Sequence, residues 1–375
     1  MLTWTQRAGL LVAPVLALTA LAPGGAVAGT TGTGGGPRVV ADGLVNPRGL
    51  TFGPDGTLYV AEAGAGGAGP CIPGPYESQL CLGDTGAVTA ITRGTQRRVL
   101  TGLPSLRSDG EGLSTYGPHD VAFDPYGRLN VAIGYSTNPE NRAQLGPAGA
   151  ALGTVVQAGP RGSWRVTGDV TAYELAHNPA GGPLESQPYG LYAGARTSYV
   201  ADAAGNTLFS VDRSGRVELV AVFPEEQVPA PPEWGLPPGA TVPADAVPVA
   251  VTRGPDGALY VGQLTGHPFP RGGAKVWRIV PGQAPTVYQT GFTNIIDLTF
   301  DRRGRLVVLE IARYGLDSAD LTGALWRVER DGTRTELASA GLTTPMSVAQ
   351  GPDGAFYVSN DGLAAGEVVR VPASG

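Results

Sequence analysis

The chain has 375 residues, with 58 glycines and 33 prolines against only 15% charged residues. An apolar share of 42% supplies a sizeable core and excludes a disordered chain, while glycines without a three-residue period exclude collagen. The net charge is −6 and Lys275 is the sole lysine, so there is no cationic surface for a phosphate backbone and nucleic acid is not an expected partner.

In chain order, the first predicted element is an export signal. Residues 1–28 carry Arg7, an apolar run over residues 8–22 interrupted by Pro14, and Ala26-Val27-Ala28 as a cleavage pattern. That run falls short of the ~20 apolar residues a spanning helix needs, so cleavage is expected rather than anchoring. No later segment is long enough to span, and the protein is expected to be secreted, extracellular and free of the membrane. Residues 29–36 form a Gly/Thr-rich flexible leader, and residues 37–375 the folded domain. Arg7 is the only charge in the signal, so the mature net charge is −7.

Next comes an isolated strand pattern, Arg38-Val-Val-Ala-Asp-Gly-Leu44, and after it a repeat. The frame Pro47-Arg-Gly-Leu-Thr-Phe-Gly-Pro-Asp-Gly56 recurs at residues 118–127, 188–197, 248–257, 295–304 and 345–354, six copies in all. Isoleucine replaces the proline in the fifth, and residues 188–197 hold an altered, shorter turn. Each copy predicts a short strand, a Pro-Asp-Gly type turn and a β-branched or aromatic strand such as Leu58-Tyr-Val-Ala61. Third and fourth strands follow in most copies, residues 86–92 with 97–102 and residues 207–211 with 216–222 among them. The last copy stops after three strands. The isolated strand at residues 38–44 supplies the fourth, and the pairing closes a six-bladed β-propeller of four-stranded antiparallel blades.

Strands that alternate up and down place the first-to-second and third-to-fourth turns on one face, where all are short. The long connections fall on the other face, over residues 62–86, 134–153, 164–187, 224–247, 262–273 and 311–323. A ligand is expected on that loop-bearing face, over the central channel. Within the first long loop Cys71 and Cys81 lie ten apart, and in an exported chain they are expected to form a disulfide. The Pro-rich segment 224–248 reads as a stiff cover between blades.

Polar residues end most second strands: Glu62, Asp202, Gln263, Glu310 and Asn360, with Ile133 in the sixth place. Asn46, Gln187 and Asn294 precede first strands, and Asp120 and Asp297 lie inside them. Such oxygens suit Ca²⁺, which takes six to eight of them, at the channel mouth. Equally, strand-end polar groups bond neighbouring backbones, and their repetition in every blade favours this structural role. His119, His177 and His267 are expected on the loop-bearing face; a Zn²⁺ site would need all three to converge. No serine-hydrolase, zincin or nucleotide-loop motif occurs.

Cys71-Ile-Pro-Gly-Pro75, Gly86-Ala-Val-Thr89, Gly117-Pro-His-Asp-Val121, Gly262-Gln-Leu-Thr-Gly266 with Pro268-Phe-Pro270, and Gly291-Phe-Thr-Asn-Ile-Ile-Asp-Leu298 together resemble the ScyD/ScyE family. These are exported relatives of NHL-repeat propellers, named for a cyanobacterial cluster for the pigment scytonemin. The resemblance covers the mature chain and implies fold and export but no reaction. The chain departs from the family's usual Asn-Pro-Asp-Gly and Asp-Ser-Asn-Pro-Tyr at Asn178-Pro-Ala-Gly181 and Glu185-Ser-Gln-Pro-Tyr189. The expected function is that of a monomer binding a small molecule, glycan or protein on the loop-bearing face. The alternative is a Ca²⁺-dependent hydrolase or lactonase-like enzyme, with Glu62, Asp202, Asn294 and Glu310 as ligands and His119 transferring a proton.

Overall fold

The turn folds in the same way in five of the six frames. In the first copy Gly53 N–H donates to the Thr57 carbonyl at 2.8 Å and Gly56 N–H to the Gly53 carbonyl at 2.9 Å, while the Asp55 carboxylate accepts from Thr57 N–H. Gly56 sits at φ 79°, in the left-handed region that glycine enters without steric cost. Gly127, Gly257, Gly304 and Gly354 repeat it at φ 73–83°. In the copy at residues 188–197 a tighter turn replaces this loop, closed by Gly194 N–H on the Thr197 carbonyl.

The computed structural model describes residues 36–75, 78–108, 114–363 and 365–373. The expected signal peptide and all but the last residue of the expected leader lie outside the described residues. Strand β1 (Arg38–Val45) opens the fold. Blade 1 follows with β2 (Pro47–Phe52), β3 (Leu58–Glu62), the short β4 (Cys71–Pro73), β5 (Gln79–Thr92), β6 (Thr95–Ser108) and the short β7 (Thr115–Tyr116). Blade 2 contains β8 (Pro118–Phe123), β9 (Leu129–Ile133), β10 (Thr154–Ala158) and β11 (Trp164–Asp169), and helix α1 (Val170–His177) comes after it. Blade 3 is β12 (Pro188–Ala193), β13 (Thr197–Asp202), β14 (Thr207–Asp212) and β15 (Val217–Val222). A separate hairpin, β16 (Glu226–Pro229) with β17 (Thr241–Ala244), forms from the Pro-rich segment.

Blade 4 comprises β18 (Pro248–Arg253), β19 (Leu259–Gln263), β20 (Ala274–Ile279) and β21 (Thr286–Phe292). Blade 5 comprises β22 (Ile295–Phe300), β23 (Leu306–Glu310), β24 (Ala324–Val328) and β25 (Arg334–Ala338). The last blade has β26 (Ser347–Gln350), β27 (Phe356–Asn360) and β28 (Ala365–Val371), and β1 completes it, with Arg38 opposite Arg370 and Leu44 opposite Gly366.

Inner strands touch in the order β2, β8, β12, β18, β22, β26 and back to β2, so the blades form a closed ring around a channel. The fold is a six-bladed β-propeller. Apolar clusters fill the gaps between blades; Ala41 and Leu44 of β1 pack with Leu50, Leu58, Val60, Ile91 and Val368, tying the last blade to the first. The first blade's outer hairpin is longer than the local pattern predicts. β5 and β6 each run 14 residues because Leu80, Leu82, Leu103 and Leu106 remain buried beyond the blade. At its open end, away from the turn, Cys71 and Cys81 face one another across β4 and β5 and form the expected disulfide. Helix α1 is likewise absent from the sequence expectation; the Asp169 side chain caps it by accepting from Ala172 N–H at 2.9 Å.

Candidate ligand-binding site

The inner strands position the site. In β2, β8, β12, β18 and β22 the register against the next strand slips at the first residues, between Pro47 and Leu50, Pro118 and Asp120, Pro188 and Leu191, Pro248 and Ala250, and Ile295 and Asp297. Such a slip releases a residue from the ladder and re-aims its side chain. The released residue is the second of each frame: Arg48, His119, Tyr189, Val249 and Ile296, with Met346 in the same place ahead of β26. All six line one pocket at the channel mouth, with Tyr116, Gln187, Leu264 and Ile311 among its other walls. By ring order Arg48 stands across from Val249, His119 from Ile296 and Tyr189 from Met346. One half of the wall is polar and the other aliphatic.

Arg48 is only 4% exposed. Its Nη1 donates to the Gly362 carbonyl and its Nη2 to the Thr115 carbonyl at 3.4 Å, while Nε has no partner. No carboxylate among the described residues forms an ion pair with it. Burial lowers its pKa, and the Tyr189 and Tyr116 phenols oppose that. His119 lies beside it, edge-on to Tyr189 at 4.7 Å and stacked on Tyr116 at 6.2 Å between ring centres. Burial, then the Arg48 charge, pushes the imidazole down to about 3 against the pull of the Gly117 carbonyl. The neutral ring donates Nδ1–H to that carbonyl at 2.8 Å and leaves Nε2 as an acceptor.

The third frame position lies deeper and serves the ring. Asp120 accepts from Leu191 N–H of the next blade at 2.7 Å. Asp297 accepts from Ser347 Oγ–H at 2.6 Å and Val348 N–H at 2.8 Å, and Ser347 Oγ in turn accepts from Leu50 N–H. Burial, then the Asp297 charge, raises Asp120 well above the usual carboxylate range, and burial pushes Asp297 up to about 6.

The strand-end residues are engaged by nearby backbone and side-chain groups. Glu62 accepts from Val45 N–H, Thr89 Oγ1–H and the Arg98 guanidinium. Asp202 accepts from Gln187 N–H and Ser186 Oγ–H, and Glu310 from Thr293 N–H and Trp326 Nε1–H. Asn360 accepts from Thr343 N–H, and Gln263 from Trp277 Nε1–H. Asn46 and Asn294, at φ 50° and 49°, donate to the Gly64 and Leu264 carbonyls. Glu62 and Asp202 thus stand in separate blades, Asn294 and Glu310 together in blade 5, and each is tied to partners of its own. His177 and His267 lie away from His119, on α1 and in the β19–β20 connection. Among the described residues no three His, Cys, Asp or Glu side chains are grouped to hold a metal ion.

Arg48, Tyr189, Val249, Ile296 and Met346 were not singled out from sequence. Their signal was constant spacing: each directly follows the frame's opening residue.

No protein-family model and no curated protein matches the chain. Solved structures do. A gluconolactonase from Xanthomonas campestris aligns with TM-score 0.52 and 10% identity over 90% of this chain and 89% of that one. The apo soluble aldose sugar dehydrogenase of Escherichia coli gives 0.52 and 14% over 90% and 99%. A Bacteroides thetaiotaomicron protein of unknown function gives 0.53 and 10% over 91% and 72%. At these identities the likeness shows the propeller fold.

Proposed function

We propose that the chain is an exported, monomeric propeller of the ScyD/ScyE type that binds a small organic molecule in the channel-mouth pocket. The ligand carries an apolar body and an anionic or strongly accepting head. One observation supports this above all: Arg48, His119 and Tyr189 face Val249, Ile296 and Met346 across one pocket. A buried guanidinium without a carboxylate partner favours an anion, since a desolvated charge is costly until paired. The aliphatic wall favours an apolar body, and a concave pocket suits a small molecule better than a glycan or protein surface. A metal-dependent hydrolase would require Glu62, Asp202, Asn294 and Glu310 to leave their backbone partners, so binding is the preferred reading.

Anilinonaphthalene sulfonate, an aromatic anion, is a suitable probe. The native protein is expected to bind one molecule with enhanced fluorescence. Arg48→Gln is expected to weaken binding at least tenfold, about 1.4 kcal/mol, while Met346→Trp, which fills the aliphatic wall, blocks it. Unchanged titrations in both variants would remove the pocket as the site.

A further inference from the structure

Five buried side-chain atoms of the described protein lack a hydrogen-bond partner; one is Arg48 Nε at the channel mouth, and the other four belong to three neighbouring residues beside blade 3. These are both carboxylate oxygens of Glu174 on α1, Oδ1 of Asn178 at the end of that helix, and Oγ1 of Thr207 at the start of β14. Glu174 and Thr207 are fully buried. Asn178 Nδ2–H donates to the Gly182 carbonyl at 2.8 Å, which turns its oxygen the other way. Glu174 and Asn178 line one pocket together with Glu185 and Gly205.

Gly205 explains how the space stays open. A Cβ there would stand 3.2 Å from Glu174 Oε2, 3.2 Å from Thr207 Oγ1 and 3.3 Å from the Asp202 carboxyl carbon. Its backbone is not in the left-handed region, so glycine is needed for room and not for conformation. The donors converging on this point are all oxygens. Burial, with Asp202 adding to it, pushes Glu174 up to about 8, and no arginine or lysine acts on Glu174, Glu185 or Asp202.

We propose that Glu174, Asn178 and Thr207, backed by Asp202, form a binding site for a hard divalent cation of the Ca²⁺ class, separate from the channel. A mixed set of carboxylate, amide and hydroxyl oxygens suits Ca²⁺ and not Zn²⁺, which takes nitrogen and sulfur. The cation would clamp α1 to the start of β14 and stiffen the loop-bearing face beside the ligand pocket.

The test is calorimetric and thermal titration of EDTA-treated mature protein with Ca²⁺, and with Mg²⁺ and Zn²⁺ in parallel. One Ca²⁺ per chain and a raised melting temperature are expected. Glu174→Gln and Gly205→Ala should each weaken Ca²⁺ binding at least tenfold. Gly205→Ala puts a methyl against Glu174 Oε2 and Thr207 Oγ1, crowding the space between them, and guards against misfolding of the glutamine variant. A native protein silent at millimolar Ca²⁺ would overturn the proposal. So would a preference for Zn²⁺, or a Ca²⁺ response that survives in a folded Gly205→Ala protein.

Discussion

His119 shows how little a side chain's type says about its work. Selected from sequence as a proton-transfer group, it sits beside Gly134, where a Cβ would lie 2.1 Å from its Nδ1. That fit holds the ring against the Gly117 carbonyl and away from water. With a pKa near 3 the ring is neutral at pH 7 and has no imidazolium proton to give. The consequence for stability has a definite sign. Below pH 6.5 the unfolded chain takes up a proton that the folded ring refuses, so this group costs stability as the pH falls from 6.5 towards 3. Between pH 7 and pH 5 the cost grows by about 2 kcal/mol. Urea midpoints of the native protein and His119→Gln should therefore diverge on acidification, the native protein losing more. Parallel pH dependences would mean that the imidazole is protonated in the folded state.

Among the elements, the paired strands of each frame were legible because their turns are local. Asp55, Gly56 and their equivalents bond within five residues, so a short sequence window contains the whole cause. The long hairpin of β5 and β6 was not, because Leu80 and Leu106 become strand residues by packing on Tyr135 and Leu145 far along the chain. The same distinction governs the candidate site. Polar strand ends are visible in sequence, but whether Glu62 meets a ligand or Arg98 depends on β6, 36 residues away. The pocket wall escaped notice because its six residues differ in chemistry and agree only in position. Glu62 allows a direct test of the structural reading. Replacing it by alanine strands Val45 N–H, Thr89 Oγ1–H and Arg98 at once, while the half-exposed arginine can turn to water. A loss of roughly 2–3 kcal/mol in urea denaturation is expected. A loss below about 1 kcal/mol would mark the carboxylate as available for a ligand.

For the whole molecule, the ring closes where the chain's two described ends meet. Arg38 lies opposite Arg370 in the β1–β28 ladder, so the end of β28 already adjoins the start of β1 as in an ordinary hairpin. Covalent continuity across that point is therefore not what holds the blade; the ladder and the packing of Ala41 and Leu44 on Val368 are. Two chain rearrangements separate these causes. Joining residue 373 to residue 36 through Asn-Gly, and opening new ends between Ser214 and Gly215, moves the closure to blade 3, where β14 and β15 pair as β28 and β1 did. That permutant keeps every ladder and exchanges one short turn for another, so its stability should lie within ~1 kcal/mol of the parent. Removing residues 36–45 instead bares the edge of β28 and the core beneath it, and should abolish cooperative unfolding and favour aggregation through the open edge. A truncated chain that melts like its parent would show that the last blade stands on three strands. A permutant that fails while the truncation survives would show that closure depends on the order of the chain and not on its pairing.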